Sequence, residues 1–326
     1  MAGPPRIPRT ALIVMAVAAA AAAAVLTVRE ATRRPPQAPE PGYRYSLEEF
    51  RSAPQELLVY QRGADIPLEL DSPRGVAYAN EGRLLICGDR ALIVLDPGGR
   101  VLERHELEAE PTCVAAGSEG RVYVGFRDHV EAFDLPEGRR RAWPDLGGQA
   151  LITSIAVDDG GVYVADAGNR MVLRFDHGGK LVGRIHGEFL IPSPYFDLAA
   201  APDGTLWVVN PGRHRLERYS PQGRRLDAWG SASLELEGFA GCCNPTHLAL
   251  LADGSFVTSE KGLPRVKVYD SRGALAAVVA PPREFREQES DLDLAVMGEG
   301  TIAVLVPGER RLRLYRPRGE DEGGSR

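Results

Sequence analysis

The sequence predicts an all-β fold, a closed ring of small antiparallel sheets, on three observations. Glycine is in excess, 36 of 326 residues or about 11%, against a usual level of roughly 7%, which marks a turn-rich chain. A spacing of apolar residue, Ala, four residues and Gly then recurs six times: Val76-Ala77 with Gly82, Val114-Ala115 with Gly120, Ile155-Ala156 with Gly161, Leu198-Ala199 with Gly204, Leu248-Ala249 with Gly254, and Leu294-Ala295 with Gly300. A second glycine follows each first one after 17 to 19 residues, mostly closing a polar turn such as Asp96-Pro97-Gly98-Gly99 or Asp176-His177-Gly178-Gly179. Between the turns lie short β-branched and aromatic runs such as Val162-Tyr163-Val164 and Val266-Lys267-Val268-Tyr269. The unit is therefore four strands in about forty residues, one blade, and six units make a six-bladed β-propeller.

In chain order, residues 1–10 are a short basic N-terminus with Arg6 and Arg9, and 11–28 are an unbroken apolar or small run. Eighteen helical residues span about 27 Å, enough for a bilayer core, so this is the one expected transmembrane helix or signal anchor. A signal-peptide core usually runs only about 7–15 residues, yet the alanines supply peptidase sites, so a cleaved segment is the alternative. Arg6 and Arg9 ahead of the run favour a cytoplasmic N-terminus, which puts the rest outside the cytoplasm: a single-pass protein of the cell membrane, or a secreted one if cut. Residues 29–55 read as a Pro-rich linker.

The propeller is expected over 56–319, followed by a charged tail at 320–326 that reads as disordered. The last repeat offers only three strands, Leu292 to Val296, Thr301 to Val306 and Arg311 to Arg316, while Glu56 to Arg62 is an orphan strand ahead of the first. Pairing the two closes the ring and removes both edges. The recurring alanines need no chemistry, because the innermost strands converge where only a small side chain fits.

Ile155 to Asp176, IAVDDGGVYVADAGNRMVLRFD, resembles the NHL-repeat family in its Asp-Gly turn and its Asp-x-x-Asn-Arg step into the third strand, which falls on Asp166, Asn169 and Arg170. The fourth blade keeps Asn210 and Arg213, and the fifth Glu260 and Arg265. The resemblance implies a six-bladed propeller over most of the chain and no single activity, since such propellers serve as RNA binders, protein-binding modules, sensors and an amidating lyase. The run Gly241-Cys242-Cys243-Asn244-Pro245-Thr246-His247 is also similar to a stretch of bacterial NHL proteins without an assigned role.

One face of the ring carries the candidate chemistry. The residues just before the apolar-Ala pairs are Gly75, Cys113, Ser154, Asp197, His247 and Asp293, and the second strands end at the same face with Asp166, Asn210 and Glu260, backed by Asn169, Arg170, Arg213, Lys261 and Arg265. These form an expected polar funnel that either binds loop backbone and water or takes a ligand. A divalent metal is the one cofactor the residues suggest, held by His247, Asp197, Glu260 and Asp293. Cys242-Cys243 is a redox candidate, as a vicinal bridge or as two thiols; a framework with Cys87 and Cys113 is disfavoured, because disulfide Cα atoms must come within about 7 Å.

The formal charge is −6, and the five Arg and one Glu of residues 1–34 leave −10 on the remainder, so nucleic acid is not an expected partner. No phosphate-binding loop, dinucleotide glycine pattern or zinc-helix motif occurs, and Gly98-Gly99 and Gly178-Gly179 lead into no helix. The expected function is a membrane-tethered, extracytoplasmic, non-catalytic module binding a protein or small molecule on the funnel face. The alternative is a propeller enzyme or redox protein using a divalent metal or the cysteine pair.

Overall fold

The computed structural model describes residues 47–135 and 137–319; the basic N-terminus 1–10, the apolar segment 11–28, the linker as far as residue 46 and the 320–326 tail lie outside the described residues. Among the described residues no helix is long and apolar enough to cross a membrane.

The described chain is a ring of six four-stranded antiparallel sheets. An entering strand β1 (Tyr60–Pro67) precedes blade one, β2 (Pro73–Tyr78), β3 (Leu84–Gly88), β4 (Ala91–Leu95) and β5 (Val101–Glu106). Blade two is β6 (Cys113–Ala116), β7 (Arg121–Gly125), β8 (Val130–Asp134) and β9 (Arg139–Ala142), and blade three is β10 (Ile152–Asp158), β11 (Gly161–Asp166), β12 (Met171–Phe175) and β13 (Leu181–Ile185). Blade four is β14 (Leu198–Ala200), β15 (Leu206–Asn210), β16 (Arg215–Tyr219) and β17 (Arg225–Trp229). Blade five is β18 (His247–Leu250), β19 (Phe256–Glu260), β20 (Arg265–Tyr269) and β21 (Leu275–Ala280), and blade six is β22 (Leu294–Val296), β23 (Ile302–Val306) and β24 (Arg311–Pro317) completed by β1.

Closure is the pairing of β1 with β24, Tyr60 opposite Pro317 through Pro67 opposite Arg311, with a register shift between Arg62 and Asp65. The closing strand thus starts at Tyr60, four residues later than the apolar run at Glu56 suggests; Gln55–Leu57 is instead a 3-10 turn. Just upstream, Arg51 pairs with Glu287 and accepts the Arg283 N–H, so the stretch around Arg51 and Gln55–Leu57 packs on the blade-five side.

The innermost strands β2, β6, β10, β14, β18 and β22 neighbour one another in turn, and β22 returns to β2. Fourth strands such as β5, β9 and β17 are largely exposed. The apolar core is accordingly divided among the interfaces between blades: Leu85 and Leu92 with Val114 and Val124, Tyr163 and Val172 with Phe196 and Val208, and so on round to Ala303 and Leu305 with Ile86 and Ile93. Each blade contributes to two cores and so depends on both neighbours to bury its apolar faces.

Candidate functional site

A channel of about 580 Å³ runs between the inner strands, walled by Val76, Ala77, Val114, Ala115, Ile155, Ala156 and their counterparts in the other blades. Its polar lining includes Arg74, Glu110, Ser154, Asp197, His247, Asp291 and Asp293. The sequence position just before the apolar-Ala pair supplies Ser154, Asp197, His247 and Asp293 in blades three to six, and the structure brings the last three together.

Asp197 and Asp293 first act as staples. Asp197 Oδ1 accepts its own neighbour's N–H, from Leu198 at 2.8 Å, while Oδ2 accepts the Leu248 N–H of blade five at 2.7 Å. Asp293 repeats this with Leu294 and, across the closure into blade one, with the Val76 N–H, each at 2.8 Å. An inner strand is a sheet edge whose donors need acceptors, and a short carboxylate at the strand entry reaches two of them.

His247 sits between these staples. Its Nε2 is 2.8 Å from Asp291 Oδ1, and its Nδ1 lies 3.4 Å from Asp293 Oδ1 and 3.6 Å from Asp197 Oδ2. Tyr195 meets the ring edge-on with centroids 6.2 Å apart. Burial alone would push the imidazole's pKa down; the carboxylates of Asp197, Asp291 and Asp293 overcome that and hold it well above 6.5. Asp293 is pushed up to about 6, by burial first, with His247 opposing and Asp197 adding to the rise. The surrounding carboxyl groups therefore favour the protonated form of the His247 imidazole.

The other expected residues stand apart from this cluster and hold loops. Asp166 accepts the N–H groups of Leu151 at 3.0 Å and Asn169 at 3.1 Å, and takes the Asn169 side chain at 2.7 Å, while exposed Arg170 adopts a left-handed φ of 54°. Asn210, fully buried, accepts from Leu190 and donates to Glu217; Arg213 bonds Glu188. Asp89 does the same work in blade one through the Asp71 and Ser72 N–H groups.

Glu260 is absent from the metal-capable group, which among the described residues is Asp197, His247 and Asp293, with one ligand atom from each lying within 4.8 Å of the others. Its oxygens receive Arg265 at 2.7 Å, Lys267 at 2.7 Å and the Ala240 N–H at 2.6 Å, all three side chains being fully buried. Lys261 reaches Ser193 Oγ at 2.9 Å and lies 4.3 Å over the Tyr195 ring, which links it to the His247 neighbourhood.

Sequence reasoning missed Asp291 and Tyr195. Asp291 had a signal: it stands two residues before Asp293, and an extended chain turns alternate side chains to the same side. Tyr195 had none, since it belongs to the long connection into blade four. All four cysteines are free thiols, Cys87, Cys113 and Cys243 buried and Cys242 exposed.

No protein-family model matches the chain, and no curated protein does. Solved structures do. Virginiamycin B lyase from Staphylococcus aureus superposes with a TM-score of 0.58 at 13% identity over 79% of this chain and 99% of that one. A structural-genomics protein of unknown function from Bacteroides thetaiotaomicron gives 0.58 at 15% identity over 78% and 72%, and the WD40 propeller domain of Doa1 gives 0.55 at 16% over 77% and 79%. At these identities the likeness is one of fold.

Proposed function

We propose that this chain is a non-catalytic binding module whose ligand seats a cationic group at the polar mouth of the channel and an apolar body against its walls. The observation that carries the reading is the convergence of Asp197, Asp291 and Asp293 on the His247 imidazole in the lining of a channel walled for the most part by Ala, Val, Leu and Ile. A concave apolar site with a few convergent polar groups is the usual form of a small-ligand pocket. In this lining the carboxylates, with Glu110, outnumber the cations Arg74 and His247. The lining thiol, Cys113, is pushed up to about 12, chiefly by burial, which makes it a poor nucleophile.

The test is calorimetric titration of the full-length protein with primary alkylamines of increasing chain length. Affinity should rise with length until the channel is filled and fall at least tenfold in Asp291→Asn. Absence of saturable binding, or binding indifferent to that substitution, would overturn the reading.

A second reading rests on the same geometry: Asp197, Asp293 and His247 Nδ1 as ligands of a divalent ion, with Asp291 orienting the ring through Nε2–H, as carboxylates do behind metal-bound histidines. The bound ion would neutralise the carboxylates at the mouth, and uptake would release the Nδ1 proton. Metal analysis of the purified protein beside His247→Ala separates the readings: about one equivalent lost with the imidazole supports the ion.

We also read the chain as an NHL-type propeller tethered outside the cytoplasm by residues 11–28. The Asp166, Asn169, Arg170 turn and the length of the apolar run support this. Protease added to intact cells should then digest the propeller while the protein sediments with membranes.

A further inference from the structure

Cys242 and Cys243 lie in the loop entering blade five, outside the channel lining, and neither is used by the site above. Their sulfurs are 3.1 Å apart; Cys242 is exposed and Cys243 is 3% exposed. The turn that presents them is fastened from both sides. Asn244, also buried, donates through Nδ2 to the Ala240 carbonyl and to the Lys261 carbonyl, and accepts the Lys261 N–H at 2.9 Å. The Gly241 carbonyl is held by His214 at 2.7 Å. Two thiols are thus kept at reacting distance by a fixed frame, one open to solvent and one behind it.

From this arrangement we infer that Cys242 and Cys243 form a reversible dithiol/disulfide couple that exchanges two electrons with disulfide-bearing partners. Cys242, as thiolate, attacks one sulfur of a partner disulfide R–S–S–R, forming the mixed disulfide Cys242–S–S–R and expelling R–S⁻, which takes up a proton. Cys243 thiolate then attacks the Cys242 sulfur, closes the vicinal disulfide and expels the second R–S⁻, again protonated. Two cysteine thiols are oxidised, one disulfide is reduced to two thiols, and the reverse sequence oxidises a partner's thiols. Neighbouring Cα atoms are only about 3.8 Å apart, short of the roughly 4.4–6.8 Å that a relaxed disulfide spans. The bridge is therefore strained, and strained bridges are the exchangeable ones rather than the permanent staples.

Cys87 and Cys113 do not compete. Both are buried, and burial lifts both thiols, Cys113 to about 12 and Cys87 well above its ordinary value; the Cys242 thiol is raised as well, by its contact with Cys243, but it alone of the four is exposed to a partner. Cys87 and Cys113 also belong to blades one and two, remote in the fold from the blade-five loop.

The experiment uses the full-length native protein in glutathione buffers of graded ratio, quenched with acid and read by mass spectrometry with peptide mapping. As the disulfide fraction rises, wild type should lose two hydrogens, mapped to Cys242–Cys243, and recover them on return to reduced glutathione. Cys243→Ser should instead hold glutathione on Cys242, and Cys242→Ser should react at least tenfold more slowly. If wild type keeps the mixed disulfide without closing, takes up no oxidising equivalents, or loses hydrogens at Cys87–Cys113 instead, the inference fails. Circular dichroism of both variants checks that the fold survives.

Discussion

Glu260 is a buried anion whose value depends on its company. Arg265 and Lys267 both converge on it, and their remaining donors reach the carbonyls of Leu234, Leu236 and Gly238, so the whole loop into blade five is tied to this one carboxylate. Removing one partner of such a set strands the others, at a cost of about 3–5 kcal/mol. Glu260→Ala should therefore lose about that much in urea unfolding; a loss within 1 kcal/mol would show that the two cations relax to water. His247 makes a prediction with a definite sign. Its folded pKa is raised, so its contribution is complete below its unfolded pKa of about 6.5 and disappears as pH rises through the folded value. Lys267, lowered to about 8 chiefly by burial, acts oppositely above that pH, so the difference between parent and variant is the informative quantity. The stability gap between parent and His247→Gln should narrow from pH 6.5 to pH 9; a gap independent of pH would mean that His247 is held neutral. Asp197, His247 and Asp293 were legible in the sequence as neighbours because repeat position alone placed them on one rim. It misassigned Glu260 to the same group, since a second-strand end also faces that rim, and the buried partners Arg265 and Lys267 lie on the strand that follows.

At the scale of the turn, the glycines show how the blades are spaced. Gly99, Gly179 and Gly273 close the turn between third and fourth strands with φ near 85°, after an Asp whose Oδ1 accepts two N–H groups of the same turn. The same glycines also lie against the preceding blade: a Cβ on Gly179 would come within 2.5 Å of Trp143, and one on Gly273 within 2.5 Å of Trp229. Gly204 has a similar φ of 76° but open space around it. Left-handed backbone alone costs a non-glycine residue about 1–2 kcal/mol. Gly204→Ala should lose about that much in chemical unfolding, and Gly179→Ala clearly more because Trp143 has to move. Equal losses would show that the indole yields without cost. The turns were readable in the sequence because each demands a residue type at a fixed place. The closing strand was less so: Tyr60–Pro67 is a polar run, YQRGADIP, set by backbone pairing and a register shift at Arg62 and Asp65, whereas the apolar ELLVYQR stretch drew attention four residues upstream.

For the whole ring, closure decides whether six interfaces or five are formed. β1 supplies the outer strand of blade six and lays Ile66 and, just beyond it, Leu70 into the core shared with blade one, beside Leu84, Ile93 and Leu312. Asp293 makes the matching tie at the inner edge through the Val76 N–H, and the Leu68 N–H meets the Arg310 carbonyl. The ring is thus locked at its inner and outer radius at the same seam. Because every core is shared by two blades, opening the seam exposes one complete interface and leaves the β24 edge unpaired, a template for pairing between molecules. Deleting residues 1–67 should therefore yield protein that associates and unfolds at lower urea, while Asp293→Asn, which retains one acceptor oxygen, should stay monomeric with a smaller loss. Adding the peptide spanning 60–67 in trans should restore the monomer by re-forming the β24 pairing. A deletion that remains monomeric with unchanged stability would show that the five remaining interfaces suffice and that β1 is a cover rather than the lock.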